Sequence, residues 1–187
     1  MKNYVPTKEW MAYAIGALGQ GMVYAIMSSY ISDFYLNVLK LTPIFVLLLV
    51  LLARIWDAAI DPILGYYMDR ANPKHGKLKS YIIYTPIPIA ILTILLFYSP
   101  DLSGGALMAY CVITYLLWST VYSVSDVPFW SLPNLMTPNP DERGAIVSRA
   151  RTSNGVGSAI PMAFFMLLGF ILPSFGLSGT QLEETKY

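Results

Sequence analysis

Along this 187-residue chain, polar positions fall in short groups and the stretches between them are almost wholly apolar. Five of these stretches are long enough to cross a bilayer as helices, which takes about 20 predominantly apolar residues. They run over about 10–36, 43–68, 80–100, 106–132 and 146–174. The glycines and prolines inside them (Gly16, Gly19, Gly21, Pro86, Pro88, Pro128, Pro161) are no obstacle, because neighbouring membrane helices re-satisfy the backbone groups they free. The pattern predicts an all-α membrane protein, a bundle of about five transmembrane helices.

Lysine and arginine set the orientation, since short cytoplasmic loops carry an excess of both. With the N-terminus in the cytoplasm, Lys2, Lys8, Arg70, Lys74, Lys77, Lys79, Arg143, Arg149 and Arg151 lie inside. Lys40 and Lys186 lie outside and Arg54 falls within a span, which completes the 12 basic residues. The opening "MKNYVPTKEW" leads into a long uncharged run without a small-residue cleavage site, so it approaches a first span and is not a cleaved signal peptide. An odd number of spans followed by the polar "LSGTQLEETKY" points to the N-terminal part of a longer membrane protein.

Composition agrees: 56% of residues are hydrophobic and 12% charged, half the usual quarter for a soluble domain, with mean hydropathy +0.54. A net charge of +1 offers no hold on nucleic acid. The single cysteine, Cys111, excludes an intramolecular disulfide and reads as a small buried hydrophobe. His75, in a basic loop, reads as solvated. The chain has no phosphate-cradling glycine loop, no His/Cys cluster and no nucleophile elbow. Enzymatic chemistry, a cofactor and a resident metal are therefore not expected.

The informative positions are the charges inside the spans. "ARIWDAAIDP" carries Arg54, Asp57 and Asp61 in an apolar setting, and Asp126 stands in the fourth span. Four such residues facing lipid would cost on the order of 10 kcal/mol, so they face protein or water. Asp57 and Asp61, one turn apart, share a helix face, and Arg54 joins it three residues earlier. Two such carboxylates suit a small monovalent cation, with Asp126 and a hydroxyl from Ser123 or Ser125 completing the oxygen shell. They serve equally well as a proton site. The plainer alternative has Arg54 neutralising one aspartate and the set holding helices together; three acids for one base speak against it. Trp130, a turn past Asp126, either stacks on a ligand ring or anchors at the membrane interface. Gln20 bonds either a solute or a neighbouring helix. Arg149 and Arg151 open the last span, and Arg151 is the deeper of the two.

The loop "GYYMDRANPKHGKLK" resembles the loop between spans 2 and 3 of the major facilitator superfamily, with Gly65, Asp69, Arg70, Gly76 and Lys77 as the motif. Taken with "ARIWDAAIDP" and "DVPFWSLPNLMTPNPDERGAIVSRAR", the whole chain resembles the glycoside–pentoside–hexuronide:cation symporters, whose best-known member is the melibiose permease. The resemblance implies the N-terminal helical bundle of a fold with two six-helix halves. The missing C-terminal half is then a partner, beside the lipid bilayer and a small-molecule sugar or glycoside. It implies cation-coupled symport by alternating access in a bacterial cytoplasmic membrane, with Na+ or H+ as coupling ion.

Position by position, the resemblance implies cation binding at Asp57, Asp61, Ser123 and Asp126. It implies substrate binding at Gln20, Asp126, Trp130 and Arg151, Arg54 in the charge network, and closing contacts at Asp69 and Arg70. Two positions depart. Ile60 replaces an asparagine, which removes an amide oxygen and tilts the ion toward the proton. Gln20-Gly21 replaces a Lys-Asp pair whose acid holds sugar hydroxyls, which opens the substrate to another glycoside, an oligosaccharide or a uronide. Two further readings stay open: a carrier of a lipid-like amphipathic solute in the same fold, and a non-transporting fragment.

Overall fold

The computed structural model describes residues 5–70 and 78–171, with the backbone alone for Asp69, Lys79 and 168–170. Helix α1 (Thr7–Asp33) runs into a π-helical turn at Phe34–Val38. Lys40, at φ 53°, then turns the chain out of the helix. Helix α2 spans Pro43–Arg70, α3 Lys79–Tyr84 and α4 Pro86–Leu96. Helix α5 spans Gly105–Ser131, α6 Pro133–Met136 and α7 Pro140–Ile171. There is no strand among the described residues.

The starts of these helices have local causes. Pro43, Pro86 and Pro140 each open a helix, where the missing N–H would have had no partner and φ is already helical. The Asn139 side chain caps α7 by accepting from the Asp141 N–H at 3.0 Å. Asp141 and Glu142 then complement the positive end of the helix dipole. Gly104, at φ 57°, supplies the left-handed turn into α5.

Over 80–100 the apolar run is two helices and not one rod. Pro86 cannot donate into α3, so the chain restarts there. The Thr85 hydroxyl donates to the Tyr81 carbonyl at 2.8 Å and the Ile89 N–H reaches the Thr85 carbonyl at 3.0 Å. Pro62, Pro128 and Pro161, by contrast, lie inside continuous helices.

The helices form two compact units. One contains α1, the π turn, α6 and α7. Its core is the seam between α1 and α7, where Tyr13, Ala17, Gly21 and Ala25 form a buried stripe at four-residue spacing. The facing stripe of α7 contains the buried Ile146, Ala150, Gly157 and Pro161. Small residues let the backbones approach closely. A Cβ on Gly157 would stand 2.1 Å from the Leu18 carbonyl oxygen. Polar bonds tie the same seam. The Ser153 hydroxyl donates to the Ala14 carbonyl at 2.7 Å, the Asn154 amide to Ala17 at 3.1 Å and the Ser158 hydroxyl to Gly21 at 3.2 Å.

The other unit is built around α5, on which α2, α3 and α4 pack. Trp118 is its buried centre; the indole N–H donates to Thr93 Oγ1 at 2.8 Å and the ring stacks on Tyr122 with centroids 4.9 Å apart. Cys111, also on α5, is fully buried and is in no disulfide.

Among the described residues, three helical stretches are long and apolar enough to cross a membrane: Thr7–Val38, Pro43–Met68 and Gly105–Met136. The other two expected spans correspond to α3–α4, interrupted at Pro86, and to α7, whose first half carries Arg143, Arg149 and Arg151. Ile44, Leu47, Leu48, Leu51 and Ile55 stand exposed on α2, as do Ile87, Ile91 and Ile94 on α4. Such surfaces are matched by lipid tails, which are as apolar as leucine.

Candidate functional site

Among the charges inside α2, Asp57 lies along its packed edge. Leu49, Ala53 and Asp57 follow at four-residue spacing on the side facing α5, with the first two almost fully buried. Asp57 and Asp61 are half-buried, whereas Arg54 is exposed. The two aspartates have different surroundings. Asp57 Oδ1 accepts a short hydrogen bond from the Ser119 hydroxyl of α5. Asp61 Oδ1 is buried and has no hydrogen-bond partner among the described residues. Pro62 follows Asp61 inside the helix; it has no N–H, so the Ala58 carbonyl, between the two acids, loses its helical donor. Ile60 is half-buried and brings no oxygen.

On α5, Ser119, Ser123, Asp126 and Trp130 recur at spacings of four, three and four, which sets them on one helix face. Ser119 and Ser123 are buried; Asp126 and Trp130 are half-buried. The Trp130 indole N–H donates to Asp126 Oδ1 at 3.1 Å. Beside Asp57, the Trp56 indole donates to Thr120 Oγ1 at 2.9 Å, a second link between the same two helices. Among the described residues, no three His, Cys, Asp or Glu side chains come together as a metal-holding group.

The remaining predicted site residues lie elsewhere. Gln20 is half-buried on α1 and Arg151 is exposed on α7, both in the other unit. Next to Gln20, Gly21 lies against α7, where a Cβ would stand 2.2 Å from the Asn154 carbonyl oxygen. That position serves helix packing here and has no room for an acid. Arg149 rests over the Trp10 ring at 4.7 Å. In the loop motif, Gly65 is half-buried in α2 and the Arg70 guanidinium sits 4.0 Å over the Tyr66 ring. Asp69 lies in the last turn of α2, and Gly76 and Lys77 lie outside the described residues.

Sequence reasoning passed over Ser119, Thr120 and the polar seam of Ser153, Asn154 and Ser158. Ser119 stands one turn before Ser123 on the same face, and that spacing was the available signal.

Comparison with known proteins covers nearly all of these elements. Residues 12–187 match the sequence profile of a family described as MFS/sugar transport protein. The chain is 29% identical over 96% of its length to "Putative glycoside/cation symporter YagG" of Escherichia coli (strain K12), covering 38% of that protein. It is 34% identical over 86% of its length to "Uncharacterized symporter YnaJ" of Bacillus subtilis (strain 168), covering 34% of it. It is 29% identical over 85% of its length to the isoprimeverose transporter of Lactiplantibacillus pentosus, covering 33% of it. The chain thus spans about a third of the length of these curated relatives.

Proposed function

This chain belongs to the MFS/sugar transport family, a family of membrane transporters and not of enzymes, and on that premise we propose that it serves a cation-coupled symporter of a sugar or glycoside. The activity is that of a transporter of the relatives' length, placed in the cytoplasmic membrane with the N-terminus of this chain inside. The observation that carries the reading is the pair of half-buried aspartates, Asp57 and Asp61, within the predominantly apolar α2. A membrane helix retains such groups where they do work, because burying them in lipid is costly.

In this mechanism Na+ or H+ binds at Asp57 and Asp61, with the Ser123 hydroxyl near by on α5 and Arg54 in the surrounding charge network. Neutralising part of the negative charge lowers the cost of enclosing it. Asp126 accepts substrate hydroxyls and Trp130 offers a ring face to a sugar; in the other unit, Gln20 and Arg151 are the proposed substrate contacts. Occupied ion and substrate sites together favour closing one side and opening the other, as in transporters that alternate access around a midplane site. Asp69 and Arg70, at the end of α2, contribute to closing the cytoplasmic side.

The deciding experiment places the full transporter in proteoliposomes with an imposed Na+ or pH gradient and follows uptake of radiolabelled isoprimeverose, xylose and a glucuronide. Gradient-driven accumulation of any of them supports the reading. Uptake that never exceeds equilibration under either gradient overturns cation coupling.

A further inference from the structure

Asp57 and Asp61 differ in one respect that the ion-binding reading leaves unused: of these two, Asp57 alone has a bond shown to the neighbouring helix among the described residues, through Ser119. The geometry points to Ser119 as the positioning residue that couples ion occupancy at Asp57 and Asp61 to the substrate residues of α5. This deepens the proposed symport and rests on it.

A hydroxyl has one proton to donate and two lone pairs to accept with. While Asp57 is an anion, Ser119 donates its hydrogen bond to it, and the acid is drawn to α5. When an ion takes the charge of Asp57, that donor is no longer held in the same way, and the hydroxyl is free to turn and accept. Ser119 lies on the same face of α5 as Ser123, Asp126 and Trp130. A change at Asp57 therefore reaches the helix that presents the Trp130–Asp126 pair. Asp61, whose Oδ1 has no hydrogen-bond partner among the described residues, can take an ion without breaking a bond to α5. The pair thus divides its work: the two acids share the ion, Asp61 without a bond to give up and Asp57 reporting it through Ser119. The neighbouring Trp56–Thr120 bond ties the same helices but carries no charge, so ion binding gives it no reason to change. Coupling of this kind is reciprocal, so substrate on α5 also alters ion affinity.

The test uses the purified full transporter, titrated with Na+ and, in Na+-free medium, with acid. Calorimetry reads ion binding, and the tryptophan emission that disappears in Trp130→Phe reads the response of α5. The native protein shows both. In Ser119→Ala, ion binding stays within about threefold of native while the Trp130 response falls on the order of tenfold. Ser119→Thr, which keeps the hydroxyl, restores it. Trp56→Phe, which cuts only the uncharged link, keeps it. A full Trp130 response in Ser119→Ala overturns the proposal, and so does loss of ion binding in that variant, which would make Ser119 a ligand or a purely structural residue. A native protein that binds neither ion overturns the symport reading itself, before any variant is compared.

Discussion

The indole N–H of Trp130 donates to the carboxylate of Asp126, one helical turn before it, at 3.1 Å. The bond pins one edge of the ring to the acid, so that the ring presents a fixed orientation. In the proposed substrate site, a sugar hydroxyl that competes for Asp126 would therefore also act on Trp130. Trp130→Phe keeps an aromatic face and deletes the donor. It is expected to weaken binding of a nitrophenyl glycoside about five- to tenfold, the equivalent of one lost hydrogen bond. Calorimetric titration checks this, and native affinity in the variant would remove Trp130 from the substrate site.

Asp61→Asn is expected to abolish cation-driven accumulation while the transporter still inserts. The amide keeps the size of the side chain but cannot hold the charge that the ion neutralises. Downhill equilibration of substrate without a gradient separates lost coupling from lost folding. Undiminished accumulation in this variant would refute the ion assignment.

Gly21→Ala and Gly157→Ala each force a Cβ into the backbone of the facing helix, at 2.2 Å from Asn154 and 2.1 Å from Leu18. Backbone cannot swing aside as a flexible side chain does, so each substitution is expected to cost about 1–3 kcal/mol. Gly19→Ala, with nothing within 4 Å of its Cβ, is the control and should lose nothing. Thermal unfolding in detergent compares the three.

Thr137, almost fully buried, donates to Glu142 Oε2 at 2.6 Å, while the Val5 N–H donates to Oε1 at 3.1 Å. One carboxylate thus gathers the segment before α1 and the start of α7. Thr137→Val removes a donor from a part-buried charged group and is expected to destabilise by about 1–3 kcal/mol. Thr137→Ser should recover most of the loss in the same melting assay.

The class of the protein was legible because lipid demands internally satisfied backbone and so leaves helices as the form of long apolar runs. Proline was harder to read. Pro62, Pro128 and Pro161 ride inside continuous helices while Pro86 starts a new one, and nothing in the local pattern separates the two outcomes. Asp57, Asp61 and Asp126 stood out by cost alone. The hydroxyl that meets Asp57 did not: Ser119 and Ser123 share a face, and the relative rotation and height of α2 and α5 decide which one is opposite the acid. At Gly21 the sequence showed only that an acid was absent; the close passage of α7 shows what occupies its room.

The bonds from Ser153, Asn154 and Ser158 to α1 join residues 137 to 139 positions apart. At ordinary rates of synthesis that interval lasts on the order of ten seconds. Helix α1 is made before α7 and waits through that interval for its partner, while the contacts among α2–α5 need only chain that is already made. It can wait because its own hydrogen bonds close within itself and its waiting face is Tyr13, Ala17, Gly21 and Ala25, with no charge on it. The serines and asparagine of this seam stand on α7, the later of the two helices, so biogenesis never leaves them in lipid with α1 still to come.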